Sequence, residues 1–225
     1  MAERVPACIE AETLRLLGME RISQDAELSA KMDSLYHKLK AAAAPKSISR
    51  RFAIRLCGDI VDFGSFAVSS ASLAKVLENC QNAFLLAVTL GHGADRLISR
   101  LEKEDMSEAV IADALASAMA DGLCDLEEMN IFASIGAQEH LTMRFSPGYE
   151  DMPLEFSVQI IEALDAGRKA GIGVTKSFML APIKSVTAII GVSSREEERG
   201  RSCDVCAASD SCLYRKRGLY CGIHQ

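Results

Sequence analysis

The apolar positions of this 225-residue chain change period several times, and each change marks an element. Leu14 and Leu17 share one face of a short helix expected over residues 10–19. Leu28, Met32, Leu35 and Leu39 recur at helical steps, and Pro45 stops that second helix. Phe52, Ile54 and Leu56 then alternate with Arg51, Ala53 and Arg55, the period of a half-exposed strand. Residues 63–68 read as a further strand or bend, and Ser70 or Ser72 can cap a helix carrying Leu73, Val76 and Leu77. Residues 83–90 are apolar without a break, which reads as a buried strand, closed by Thr89-Leu90-Gly91-His92-Gly93. Another helix starts over residues 95–101. The longest helix is predicted over residues 107–130, with Val110, Ala114, Leu115, Ala118 and Met119 on one face, and Gly122 weakens it without ending it. Leu141, Met143 and Phe145 alternate into a Pro147-Gly148-Tyr149 turn. Val158, Ile161 and Leu164 mark a helix ending near Gly167, and residues 177–180 and 186–192 read as strands.

Strands and helices are interleaved irregularly, and neighbouring strands are joined by short turns. That order favours an α+β fold: a mixed, largely antiparallel twisted sheet packed with helices, ahead of a short Cys-rich C-terminal tail. Residues 1–192 form the expected core domain. Residues 193–225 are expected to be a charged linker, Arg195-Glu196-Glu197-Glu198-Arg199, followed by the tail. Gly91-His92-Gly93 lacks the third glycine of a dinucleotide-binding turn and carries little weight.

Charge and composition narrow the function classes. The net charge of −6 argues against a nucleic-acid partner. The first residues, Met1-Ala2-Glu3-Arg4-Val5-Pro6, lack the apolar stretch of a secretory signal, and the longest apolar run is too short to span a bilayer. A cytoplasmic location without a membrane partner is the expectation. In that setting the 8 cysteines are expected to be thiols or metal ligands rather than disulfides. Cys8, Cys57, Cys80 and Cys124 are scattered in apolar or helical contexts and read as core thiols. His92 reads as a turn residue beside a strand end, and His37 and His140 have no supporting neighbours. No nucleophile motif or Ser/His/Asp arrangement is present, so no catalytic residue is assigned.

Two segments carry candidate chemistry. The first is Arg144-Phe145-Ser146-Pro147-Gly148-Tyr149. A guanidinium at a strand end can clamp a carboxylate through parallel hydrogen bonds. Pro147 fixes the entry to the turn, and Gly148, without a Cβ, lets backbone approach a ligand. Tyr149 offers a ring face to a flat or cationic group. The same residues also suit an ordinary Pro-Gly turn with a surface arginine. The second segment is the tail, where Cys203-x2-Cys206-x5-Cys212-x8-Cys221 sits among Arg201, Arg215, Lys216 and Arg217. Four thiols this close predict a metal site, either zinc or an iron–sulfur cluster, and positive charge nearby stabilises thiolates and an anionic cluster. His224 can stand in for one ligand.

The first segment resembles the Arg-x-x-Pro-Gly-Tyr stretch of the activation domain of cobalamin-dependent methionine synthase. Thr175-Lys176-Ser177-Phe178-Met179-Leu180-Ala181-Pro182-Ile183-Lys184-Ser185-Val186 is similar to a second stretch of that family, in the same order and at a similar separation. Glu12-Thr13-Leu14-Arg15-Leu16-Leu17-Gly18 and Thr89-Leu90-Gly91 resemble features of its free-standing members. The resemblance covers most of residues 8–192. It implies binding of S-adenosylmethionine (AdoMet), with Arg144, Pro147, Gly148 and Tyr149 as the contact residues. It also implies an AdoMet-binding component for reductive activation of a corrinoid-dependent methyltransferase, in a split methionine synthase. Cobalamin would then lie on a partner subunit, an electron-donor protein would serve it, and an iron–sulfur cluster on the tail is slightly preferred over zinc. Thr187-Ala188-Ile189-Ile190 departs from the glycine and aromatics the family often has there. Asp121 could match an acidic group the family draws from an earlier helix, but a solvated helix face is the preferred reading for it. The rival from another class is a non-catalytic partner-binding protein with a structural zinc tail.

Overall fold

A computed structural model describes residues 4–19 and 26–195. In chain order the elements are α1 (Ala7–Leu16), α2 (Ala26–Ala42), β1 (Lys46–Ala53), β2 (Arg55–Cys57), β3 (Ile60–Asp62), β4 (Ala67–Ser69), α3 (Ala71–Val76), β5 (Cys80–Thr89), α4 (His92–Glu104), α5 (Met106–Ser134), β6 (His140–Leu141), α6 (Phe156–Leu164), α7 (Ala166–Ala170), β7 (Gly173–Val174), β8 (Leu180–Ala181) and β9 (Ser185–Ser193). The central sheet has the order β1-β5-β9-β6, antiparallel throughout, with Leu85 opposite both Arg50 and Ile189. A small β2-β3-β4 meander and a β7-β8 hairpin stand beside it. The α+β expectation holds.

The unbroken apolar run has a plain cause. Successive strand side chains point to opposite faces, so a strand covered on both sides has no polar position to spare. Phe84, Leu86 and Val88 of β5 pack with Cys124 and Ile131 of α5. Ala83, Leu85 and Ala87 pack on the other face with Ile160, Ile161 and Leu164 of α6. A separate layer, built from Leu14, Met32, Leu35, Leu39, Leu97, Leu101 and Leu115, joins α1, α2, α4 and α5. α5 therefore serves both the sheet and the helical layer.

Several local expectations need correction. Val110 is 52% exposed, because α5 turns Ile111, Ala112 and Leu115 inward instead. Residues 177–180 are mostly a hairpin loop: Thr175 donates its N–H to the Met179 carbonyl and accepts the Met179 N–H on Oγ1, which turns the chain before β8. Phe178 sits at φ +63 in that loop. The alternation at Leu141, Met143 and Phe145 yields only the short β6 and an isolated Phe145–Ile189 bridge. Cys80 and Cys124 are buried free thiols, but Cys8 and Cys57 are exposed. Gly122 leaves α5 unbroken and lies where α1 crosses, 4.0 Å from Ile9 Cγ1 to the position of an added Cβ.

Candidate functional site

The Pro-Gly-Tyr turn is built onto the sheet from beneath. Phe145 exchanges both backbone hydrogen bonds with Ile189 of β9, at 2.9 and 2.8 Å. The chain then folds on itself: Tyr149 N–H donates to Ser146 O, Met152 N–H to Tyr149 O, and Gly148 N–H to Met152 O. Gly148 adopts φ +89, a conformation that costs a side-chain-bearing residue far more than glycine. Tyr149 is 44% exposed, with its ring edge-on to Phe145 at 6.0 Å. Asp151 fastens the turn to the start of α3. It accepts from Ser70 Oγ at 2.5 Å, from the Ala71 N–H at 2.7 Å, and from the Ser72 N–H. The Ser70 hydroxyl, then those backbone donors, hold its carboxyl below the usual aspartate range against a smaller opposing effect of burial. Ser70, not Ser72, caps α3, accepting from the Leu73 N–H.

Arg144 enters the site already engaged. Its side chain is 15% exposed; Nη1 donates to Asp125 Oδ1 at 2.5 Å and lies 3.6 Å from Glu128 Oε2, both on α5. Burial works against its charge, but Cys124, Asp125 and Glu128 outweigh it and hold the guanidinium above its ordinary value. Beneath it, burial pushes the Cys124 thiol up to about 12; Arg144 opposes that shift, and Asp121, Asp125 and Glu128 add to it. At neutral pH Cys124 is therefore a protonated thiol and the carboxylates are what balance Arg144.

The second segment is held by the same helix at a different height. Lys184 is 8% exposed overall, and Nζ reaches Asp113 Oδ1 at 2.8 Å and Ser117 Oγ at 2.9 Å on α5. Asp95 of α4 accepts the Ile183 N–H at 2.8 Å and the Lys184 N–H at 3.4 Å. Ser185 Oγ donates to Pro182 O and lies 2.8 Å from Thr89 Oγ1. Asp113, Ser117, Asp121 and Asp125 recur every fourth residue and so share one stripe of α5. Lys184 holds one end of that stripe at Asp113 and Arg144 the other at Asp125, about 18 Å apart at the rise of an α-helix. Both segments thus converge on α5.

Sequence reasoning found the turn and missed its fasteners. Lys184 stands within the second segment with nothing in its neighbours to mark its ion pair, and Asp151, Asp125 and Glu128 lie outside both segments. A signal was present in the four-residue polar step through an Ala-rich helix. Gly91-His92-Gly93 serves helix packing: Gly91 (φ +78) precedes α4, and a Cβ on Gly93 would collide with the Ala42 carbonyl oxygen. An open groove of about 490 Å³ along α4 is lined by His92, Asp95, Arg96, Ser99, Arg100 and Lys103, and holds none of the expected ligand residues. Cys203, Cys206, Cys212, Cys221 and His224 lie outside the described residues. Among the described residues no group of His, Cys, Asp and Glu is arranged to hold a metal ion. No described helix is long and apolar enough to cross a membrane.

Comparison with known proteins brings these features together. The family model for the vitamin B12 dependent methionine synthase activation domain matches residues 76–199, which include both segments and the α5 stripe that precedes them. Among solved structures, the crystal structure of the MetH reactivation domain bound to AdoHcy is similar in fold, with a TM-score of 0.62 at 16% identity over 97% of this chain and 86% of that one. A search of curated proteins gives no match.

Proposed function

This chain belongs to the activation-domain family of vitamin B12-dependent methionine synthase, and on that premise we propose that it binds AdoMet at the Arg144–Tyr149 turn. In this reading it serves as the reductive activation component for a corrinoid carried by a separate methyltransferase subunit. AdoMet supplies a methyl group that, with one electron from a donor protein, returns an oxidised corrinoid on the partner to its methylated form and leaves S-adenosylhomocysteine (AdoHcy). The observation that carries the reading is the pairing of a half-buried cation with a glycine-lined turn and an exposed tyrosine ring, inside the matched segment.

The residues suit the ligand. Arg144 has guanidinium nitrogens beyond Nη1 with which to meet a carboxylate. Gly148 presents backbone without a Cβ, and the Tyr149 ring is open to an adenine or a sulfonium. The chain's contribution is positioning and charge placement; no acid, base or nucleophile of its own is needed. Residues 1–192 are the proposed activation unit. Residues 193–225 are the proposed linker and metal tail, with Cys203, Cys206, Cys212 and Cys221 as ligands of an iron–sulfur cluster or zinc.

Calorimetric titration of AdoMet and AdoHcy into anaerobically purified, metal-loaded protein tests the site. Saturable binding is expected, weakened at least tenfold by Tyr149→Ala, which alters an exposed ring, and abolished by Arg144→Ala. The Arg144 variant leaves Asp125 and Glu128 without their cation, so its fold is checked by circular dichroism. Binding unaffected by Tyr149→Ala would move the ligand away from the turn. A second reading draws on the Asp125 and Glu128 contacts: the chain's own carboxylates occupy Arg144, and the protein is a partner-binding module with a structural zinc tail. Absence of AdoMet binding, together with zinc and no sulfide in the purified protein, would favour it.

A further inference from the structure

Tyr149 is set between two residues with left-handed backbone. Gly148 lies at φ +89, which glycine adopts freely, but Glu150 lies at φ +46, where a side chain is disfavoured. A residue with a Cβ stays there only when its surroundings over-determine the backbone, and such positions gather at functional sites. The constraint is visible on both sides. Before the turn, Phe145 is locked to Ile189 of β9 by two backbone hydrogen bonds. After it, Met152 is held by burial, at 1% exposure, and Asp151 by its polar contacts.

The contacts of Asp151 all lead to one place. Its carboxylate gathers the Ser70 hydroxyl and the Ala71 and Ser72 N–H groups, the start of α3. Ser70 completes a relay: Oγ donates to Asp151 while accepting the Leu73 N–H. Hydrogen bonds to an ionised carboxylate are the stronger kind. α3 is a firm base for them, because Leu73 and the following Leu77 are fully buried in the cluster that also holds Phe145 and Met152. The turn is thus tied at one end to the sheet and at the other to α3, and the exposed Tyr149 ring lies between the two ties.

We propose that Asp151 is a positioning residue of the AdoMet site: by tying the turn to the start of α3 it fixes Gly148 and the Tyr149 ring in the orientation that meets the ligand. Asp151 itself touches no ligand. The inference rests on the reading of this turn as an AdoMet site. A turn ordered in advance spares the ligand the cost of ordering it, so loss of the tie should appear as lost affinity and not only as lost stability.

A carboxylate with a purely structural task supplies the control. Asp105 makes the same kind of bond elsewhere, accepting the Ser107 and Glu108 N–H groups at the start of α5. It lies about 30 Å along that helix from Asp125, the partner of Arg144. AdoMet is titrated calorimetrically into the full, metal-loaded chain and into Asp151→Ala, Asp151→Asn and Asp105→Ala, each well below its melting transition. Asp151→Ala should weaken binding about tenfold. Asp151→Asn should weaken it less, because one acceptor oxygen remains, and Asp105→Ala should leave it unchanged. Unaltered affinity in Asp151→Ala, or equal losses at positions 151 and 105, would overturn the inference. A second measurement needs no ligand. Amide hydrogen exchange at Tyr149 and Met152 should quicken about tenfold in Asp151→Ala and stay the same in Asp105→Ala. Unchanged exchange at the turn would mean that Asp151 does not hold it. If the unaltered chain binds no AdoMet, the reading of the turn fails and this inference with it; if the unaltered chain binds and Asp151→Ala binds as well, this inference alone fails.

Discussion

The two partners of one ion pair on α5 show how side-chain exposure decides the effect of a substitution. Lys184 is 9% exposed at its side chain and Asp113 is 56% exposed. Removing the lysine charge with Lys184→Met leaves an aspartate that can turn to water, so the loss should stay near 1 kcal/mol. Removing the carboxylate with Asp113→Ala strands a buried ammonium and should cost about 2–3 kcal/mol. Urea denaturation of the two variants distinguishes these outcomes; equal losses would contradict the asymmetry. The same logic applies to the thiols. Cys124, buried and pushed up to about 12, and buried Cys80 should resist alkylation at pH 8, when exposed Cys8 and Cys57 react. Peptide mapping after a short pulse of iodoacetamide, with and without denaturant, checks this order.

At the scale of elements, turns and helix starts carry the constraint. Asp151 binds the first N–H groups of α3, and its folded pKa lies below the ordinary 3.8. A depressed carboxylate contributes stability that is fully present above the unfolded value and is lost as pH falls through the folded one. Asp151→Asn should therefore lower stability at pH 7 and flatten its acid decline below about pH 4, measured by thermal melts across pH. Glu139, held low mainly by its hydrogen bond with Arg51, acts in the same direction, so the flattening will be partial. Gly93→Ala probes the packing of α2 on α4. The collision is with the backbone carbonyl of Ala42, which cannot rotate away, so a loss of about 2 kcal/mol or more is expected by chemical denaturation.

For the whole molecule, the proposed division of labour is between a sheet covered on both faces and a C-terminal tail with four of the eight cysteines. No described residue contributes to a metal cluster. Stripping metal with a chelator should therefore leave the far-ultraviolet circular dichroism of the core nearly unchanged. Metal content should fall on Cys203→Ser or Cys212→Ser, measured by elemental analysis with acid-labile sulfide. Collapse of the core on chelation would tie the tail to folding and contradict the proposed boundary near residue 192. Much of this architecture was legible beforehand. The continuous run at Ala83–Leu90 signalled burial, and the periodic leucines of α2 and the Pro147-Gly148-Tyr149 turn were visible as patterns. The inward face at Val110 is not legible because several offset stripes of an Ala-rich helix are almost equally apolar, and only packing against the neighbouring helices selects Ile111, Ala112 and Leu115. Residues 177–180 were misread because Thr175 closes a loop through its hydroxyl, a contact that alternation does not encode.

The amino-acid sequence by itself determined the α+β class, the order of the main elements and the family, since these follow from hydrophobic period, turn residues and local motifs. The tertiary structure decided what those motifs touch. Arg144 could be recognised as a carboxylate clamp from its neighbours in sequence. That Asp125 and Glu128 already meet it depends on where a 29-residue helix crosses the sheet. Lys184 likewise became a buried ion-pair partner only because β9 begins beneath that helix. Local patterns record the preferences of neighbouring residues, whereas burial and charge pairing arise between residues far apart in the chain, through packing that no short window contains.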